Sequence, residues 1–138
     1  IGSEAVVMRP VVREFAADVW SRRRGLALAQ RAENGWTCSR YACAPVGEGP
    51  LALWWGRRAP SDDQLAALCG TASVVSVRAE VIRIPDACQG RLVLDGVDYA
   101  QGGAVELWRN GPSWRAVWTA EVRGDRPWSR WPDGEAAF

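Results

Sequence analysis

The chain has 138 residues and a net charge of +1, with four cysteines, no histidine, and arginine at all 17 basic positions. Without imidazole, the commonest general base and metal ligand, most hydrolytic and metal-dependent mechanisms are excluded, and binding or a part in a larger assembly remains. The length suits one domain, residues 1–138, and no apolar run approaches the ~18 residues that span a bilayer. Arginine-only usage fits a GC-rich genome before it fits phosphate recognition. The start at Ile1 suggests excision from something larger, with Gly2-Ser3 matching a cloning scar.

In chain order, residues 4–8 read as a short strand stopped by Pro10. Val12, Phe15, Ala16, Val19 and Trp20 recur at helical spacing, predicting a helix over 11–24 with one apolar face, closed by Gly25. Residues 26–34 extend that helix or form a loop. Residues 36–44 predict a hairpin whose four-residue loop sets Cys38 opposite Cys43, near the ~5.5 Å a disulfide wants. After a Gly/Pro-rich turn over 45–50, Leu51 to Trp55 reads as a strand covered on both sides, since Trp54 and Trp55 must point apart. Ser61 and Gln64 form a capping box for a helix with Asp62 and Asp63 in its first turn, ended by Gly70. Leu65, Leu68 and Cys69 share its inner face. Strands are expected at 72–77, 80–84 and 91–94. A hairpin around Asn110-Gly111 puts Val105, Leu107, Trp114, Ala116 and Trp118 on one core face, with Glu106 and Arg115 as a cross-strand pair on the other. The tail, about 124–138, reads as irregular. The sum is an α/β (α+β) arrangement, a mixed β-sheet with about two helices.

Gaps of four, 25 and 18 residues between Cys38, Cys43, Cys69 and Cys88 do not make paired zinc knuckles. Two disulfides, Cys38–Cys43 and Cys69–Cys88, are the leading expectation and imply an oxidising compartment such as a bacterial periplasm. Free thiols and a four-cysteine zinc module are the alternatives. Cys69, near a helix C-terminus, sits where the dipole raises a thiol pKa, which does not suit a nucleophile.

The order W-T-C-S-R-Y-A-C, an apolar strand, S-D-D-Q-L-A-A-L-C before A-S-V-V-S-V, then Cys88, L-V-L-D and finally R-G-D-R-P-W resembles the C-terminal segment of ComEC-type competence proteins of alphaproteobacterial type. The resemblance runs from Trp36 to Trp128; the first 30 residues match only loosely. It implies a soluble metallo-β-lactamase-like domain on a polytopic inner-membrane channel for transforming DNA, a domain proposed in that family to be a nuclease. The family's His-His-Gly ligands follow a strand that matches Ala72 to Val77, where this chain has Arg78-Ala79-Glu80. Its Gly-His-Pro is replaced by Gln101-Gly102-Gly103, and its upstream His-x-His-x-Asp-His cluster has no counterpart.

The resemblance therefore implies a degenerate, non-catalytic periplasmic domain that assists DNA internalisation through weak contacts with DNA or with the rest of the channel, without a cofactor. A nuclease-like domain whose metal ligands lie outside residues 1–138 is the alternative from the enzyme class. For DNA, the candidates are Arg22, Arg23 and Arg24, against the plainer reading of a solvated helix end that complements the dipole. Arg126, Trp128, Arg130 and Trp131 are the stacking candidates, against packing of the tail onto the sheet. Trp20, Trp114 and Trp118 are expected in the core. Asp62 and Asp63 point about 100° apart on a helix and cannot share a metal. Asp95 and Asp98, like Arg123-Gly124-Asp125, read as turns.

Overall fold

The computed structural model describes residues 4–6, 14–29 and 35–124. The first unit is β1 (Glu4–Val6), α1 (Glu14–Arg23) and β2 (Ala27–Ala29), with β1 and β2 parallel. Gly25, at φ 67°, turns the chain out of α1, and the Leu26 amide donates to the Ser21 carbonyl at 2.8 Å. Residues 26–29 thus leave the helix rather than extend it. This return selects the inward face of α1: Ser21 is 1% exposed, whereas Phe15 and Trp20 are 82% and 52% exposed. The face expected from apolar spacing is therefore not the buried one, and Trp20 is no core residue.

The body is a five-stranded sheet in sequence order: β3 (Trp36–Cys38), β4 (Ala42–Pro45), β5 (Gly49–Trp54), β6 (Ala72–Val77) and β7 (Leu92–Leu94). The first two junctions are antiparallel and the last two parallel, so the sheet is mixed, as expected. The parallel turn from β5 to β6 is made by α2 (Asp62–Thr71), started by the Ser61/Gln64 capping box. Gly70 does not end α2. The helix continues to Thr71 and passes straight into β6, because the extended backbone of Ala72 serves as both cap and first strand residue.

Strand alternation gives the sheet two faces. Ala52, Val75 and Val77 meet Leu65, Leu68 and Cys69 of α2, together with Cys88, in the principal core. Cys43, Val74 and Leu94, one register step away, lie on the other face and are also buried, which is what parallel strands require. Removing a side chain such as Leu65 from water contributes roughly 1.5–3 kcal/mol.

Residues 80–84 do not form the expected strand. Ile82 is 94% exposed, and the Val81 amide donates to the Asp95 carboxylate instead of to a neighbouring strand. A 3-10 turn at Asp86–Cys88 leads towards β7. Beyond β7, Asp95 caps α3 (Gly96–Gly102), with Asp98 completing a capping box, so these residues start a helix rather than close a turn. Tyr99 of α3 touches the second sheet face through a 2.6 Å hydrogen bond to Ser76.

The described residues end in the hairpin β8 (Val105–Asn110) and β9 (Ser113–Trp118), followed by α4 (Thr119–Arg123). The described residues thus hold four α-helices where about two were expected. Register places Val105, Leu107, Trp114, Ala116 and Trp118 on one face, as expected, but these residues are half-buried. Glu106 faces Val117 and Arg115 faces Trp108, because Asn110 pairs with Ser113 across the two-residue Gly111-Pro112 turn. The expected Glu106–Arg115 pair is thus displaced by one rung. Arg123 ends α4 rather than opening a turn; the tail expected to be irregular lies, from Asp125, outside the described residues.

Candidate nucleic-acid interface

All four cysteines are paired, as Cys38–Cys43 and Cys69–Cys88. The first bridge follows from strand register. Hydrogen bonds run from the Ser39 amide to the Ala42 carbonyl (2.8 Å) and from the Val46 amide to the Gly35 carbonyl (2.7 Å). Cys38 and Cys43 are therefore a non-hydrogen-bonded pair, where facing strands come closest, and their Cα atoms are 4.1 Å apart. Pro45, facing Trp36 at the next such position, needs no amide there. The second bridge ties α2 to the turn before β7. With no thiolate left over, the zinc-module alternative falls. Among the described residues, no three His, Cys, Asp or Glu side chains gather to hold a metal ion.

The antiparallel register carries the tip of the β3–β4 hairpin to the end of the sheet where β5 and β6 finish. Ala42 pairs with Trp54, and Trp54 pairs with Val77. The Trp55 amide donates to the Tyr41 carbonyl and the Arg78 amide to the Trp54 carbonyl, both at 2.8 Å. Arg40, Tyr41, Trp54, Trp55 and Arg78 therefore converge at one sheet end, with Arg57 and Arg58 in the loop that leaves it.

Two indoles hold the arginine-bearing loops. Trp54 Nε1–H donates to the Arg58 carbonyl at 2.9 Å, and Trp55 Nε1–H to the Arg40 carbonyl at 3.0 Å. The Arg40 guanidinium lies 5.3 Å from the centre of the Tyr41 ring, which stands 6.1 Å from the Trp54 ring. Tyr41 is 44% exposed. All four arginines are exposed, and Arg57, Arg58 and Arg78 have no side-chain partner among the described residues. Opposing charge is close by: Glu80 is exposed, and Asp62 pairs with Arg83 at 3.6 Å. An arginine-rich surface with a partly open aromatic ring suits phosphates and a stacked base.

Of the residues singled out in the sequence, Arg22, Arg23 and Arg24 close α1. Arg22 forms an ion pair with Asp18 at 2.9 Å, one turn earlier, while Arg23 and Arg24 are exposed. Arg126, Trp128, Arg130 and Trp131 lie outside the described residues. Arg40, Arg57 and Arg58 carry no motif that marks them as site residues, although they fall in loops that flank strands legible in the sequence. A cavity of about 250 Å³ beside α3 and α4 has Asp98 and Glu121 in its lining, and these carboxylates repel a phosphate.

No protein-family model matches the chain, and no curated protein or solved structure matches it either. The two disulfides suit an oxidising, extracytoplasmic environment, and among the described residues no helix is long and apolar enough to cross a membrane.

Proposed function

We propose that this is a non-catalytic, DNA-contacting domain of a ComEC-type uptake protein, working on the periplasmic side of an inner membrane and assisting DNA internalisation. One observation carries the reading: Arg40, Arg57, Arg58 and Arg78 gather with Tyr41 at the end of the sheet where β5 and β6 finish. Arg78 stands where the resembled family places metal ligands, and a guanidinium there attracts phosphate and repels a cation. With acidic residues nearly balancing the arginines overall, attraction is local and sensitive to salt.

Fluorescence anisotropy with a labelled oligothymidylate tests this. Three or four phosphate contacts on a single strand give a log–log salt slope of roughly −2 to −3. Arg40, Arg57, Arg58 and Arg78 replaced together by Ala should abolish binding, and the Arg22, Arg23 and Arg24 triple change should leave most of it. Binding untouched by the quadruple change overturns the proposed surface.

A further inference from the structure

The two disulfides differ in what they hold and in how they can be reached. Cys69 and Cys88 are 0% and 2% exposed and lie in the core, whereas Cys38 is half-buried and only its partner Cys43 is at 0%. The Cys38–Cys43 bridge also closes the hairpin whose loop, Ser39 to Ala42, carries Arg40 and Tyr41. Its rung of the ladder has no backbone hydrogen bond, and β3 is a three-residue strand whose only neighbour in the sheet, among the described residues, is β4. Without the bridge, the tip is held by the Ser39–Ala42 bonds and by the two donors of Trp55.

We propose, building on the DNA-contacting reading above, that Cys38–Cys43 is a redox latch on the binding tip, opened by a protein dithiol and closed by a protein disulfide. A thiolate of the dithiol attacks the Sγ of Cys38, the less buried residue of the pair, and Cys43 leaves as a thiolate and takes a proton. The second thiol of the reductant then displaces Cys38 Sγ from the mixed disulfide. The reductant ends as a disulfide, and Cys38 and Cys43 as thiols, with two electrons and two protons transferred. Opening frees Arg40 and Tyr41, so binding must then order them; affinity falls about three- to tenfold. Cys69–Cys88 keeps the core closed throughout.

The test uses the whole chain under graded dithiothreitol, with alkylation and mass spectrometry, alongside anisotropy with an oligothymidylate of about twenty nucleotides. Cys38 and Cys43 should alkylate while Cys69–Cys88 is intact, and the dissociation constant should rise in step. A Cys38→Ser, Cys43→Ser double variant should reproduce the weaker binding and ignore reductant. Prior reduction of Cys69–Cys88, or unchanged affinity once Cys38 and Cys43 are free, overturns the latch. If the oxidised protein binds no oligonucleotide, the DNA-contacting reading fails on its own. The latch is then decided by hydrogen exchange: the Trp55 amide should lose protection on reduction while the Val75 amide keeps it, and a Trp55 amide that stays protected refutes it.

Discussion

Asp95 accepts the Val81 amide at 2.8 Å with one carboxylate oxygen, while its other oxygen takes the Val97 and Asp98 amides at 3.0 and 3.2 Å. One side chain thus starts α3 and fixes the loop that follows β6. Burial alone pushes this carboxyl up, but the amides of Val81, Asp98 and Val97, with the Asp98 side chain, outweigh it and hold the pKa below its ordinary value.

The sign of the pH effect follows. A depressed carboxyl stabilises the fold fully above its unfolded pKa of about 4, and this is lost as pH falls through the lower folded value. Asp95→Ala should cost about 2–3 kcal/mol at neutral pH, combining a lost cap with a lost charged hydrogen bond. Urea midpoints at pH 7 and in strong acid should show the gap to wild type shrinking in acid. An equal gap at both would refute the charge argument.

Two glycines should respond to alanine with opposite signs. At Gly70, inside α2, an added Cβ meets nothing within 4 Å, so Gly70→Ala should stabilise by about 0.5–1 kcal/mol. At Gly102, a Cβ would overlap the Trp118 ring, and Gly102→Ala should destabilise by about 1–3 kcal/mol. Thermal melts of the two variants decide this; matching shifts would contradict the packing of α3 on β9.

Ser76 and Tyr99 join the second sheet face to α3, and Tyr99 meets Trp118 edge-on at 5.6 Å between ring centres. Tyr99→Phe keeps the ring contact and should cost about 1 kcal/mol. Tyr99→Ala also removes the ring and should cost about 3–5 kcal/mol. A double-mutant cycle with Ser76→Ala should return a coupling near the smaller figure, and zero coupling would rule out a stabilising bond.

No divalent metal should support DNA cleavage by the isolated chain. The Asp95 and Asp98 carboxylates are engaged by backbone amides of the loop and helix, and Arg78 faces the sheet end with positive charge. Incubation with single- and double-stranded DNA plus magnesium, manganese or zinc checks this. Cleavage lost in Asp95→Ala or Asp98→Ala would show that these groups hold metal after all.

Where local chemistry and tertiary packing agree, the sequence is legible. The Cys38/Cys43 spacing implies the hairpin and its bridge, and Ser61 with Gln64 implies the start of α2. Val81 to Ile84 has the β-branched pattern of a strand, but a carboxylate fourteen residues away takes its first amide. The Asp95/Asp98 box hides α3 because Asp replaces the usual Glu or Gln at its fourth position. Apart from the adjacent Arg57 and Arg58, the arginines of the interface are scattered along the chain. Parallel and antiparallel register bring them together, and the spacing of charges along the sequence does not encode that register.

The join between α2 and β6 has a bearing on descent. With no intervening residue, and with Cys69 and Ala72 both buried beside it, that end of the sheet has no slack in which an insertion could be absorbed. At the opposite end Arg57, Arg58, Ala59 and Ser61 are exposed, so the loop beyond buried Gly56 can lengthen or exchange its arginines without disturbing the strands. Divergent copies of this domain should keep one rim almost invariant in length while the other drifts, so that what the domain grips can change while its frame does not.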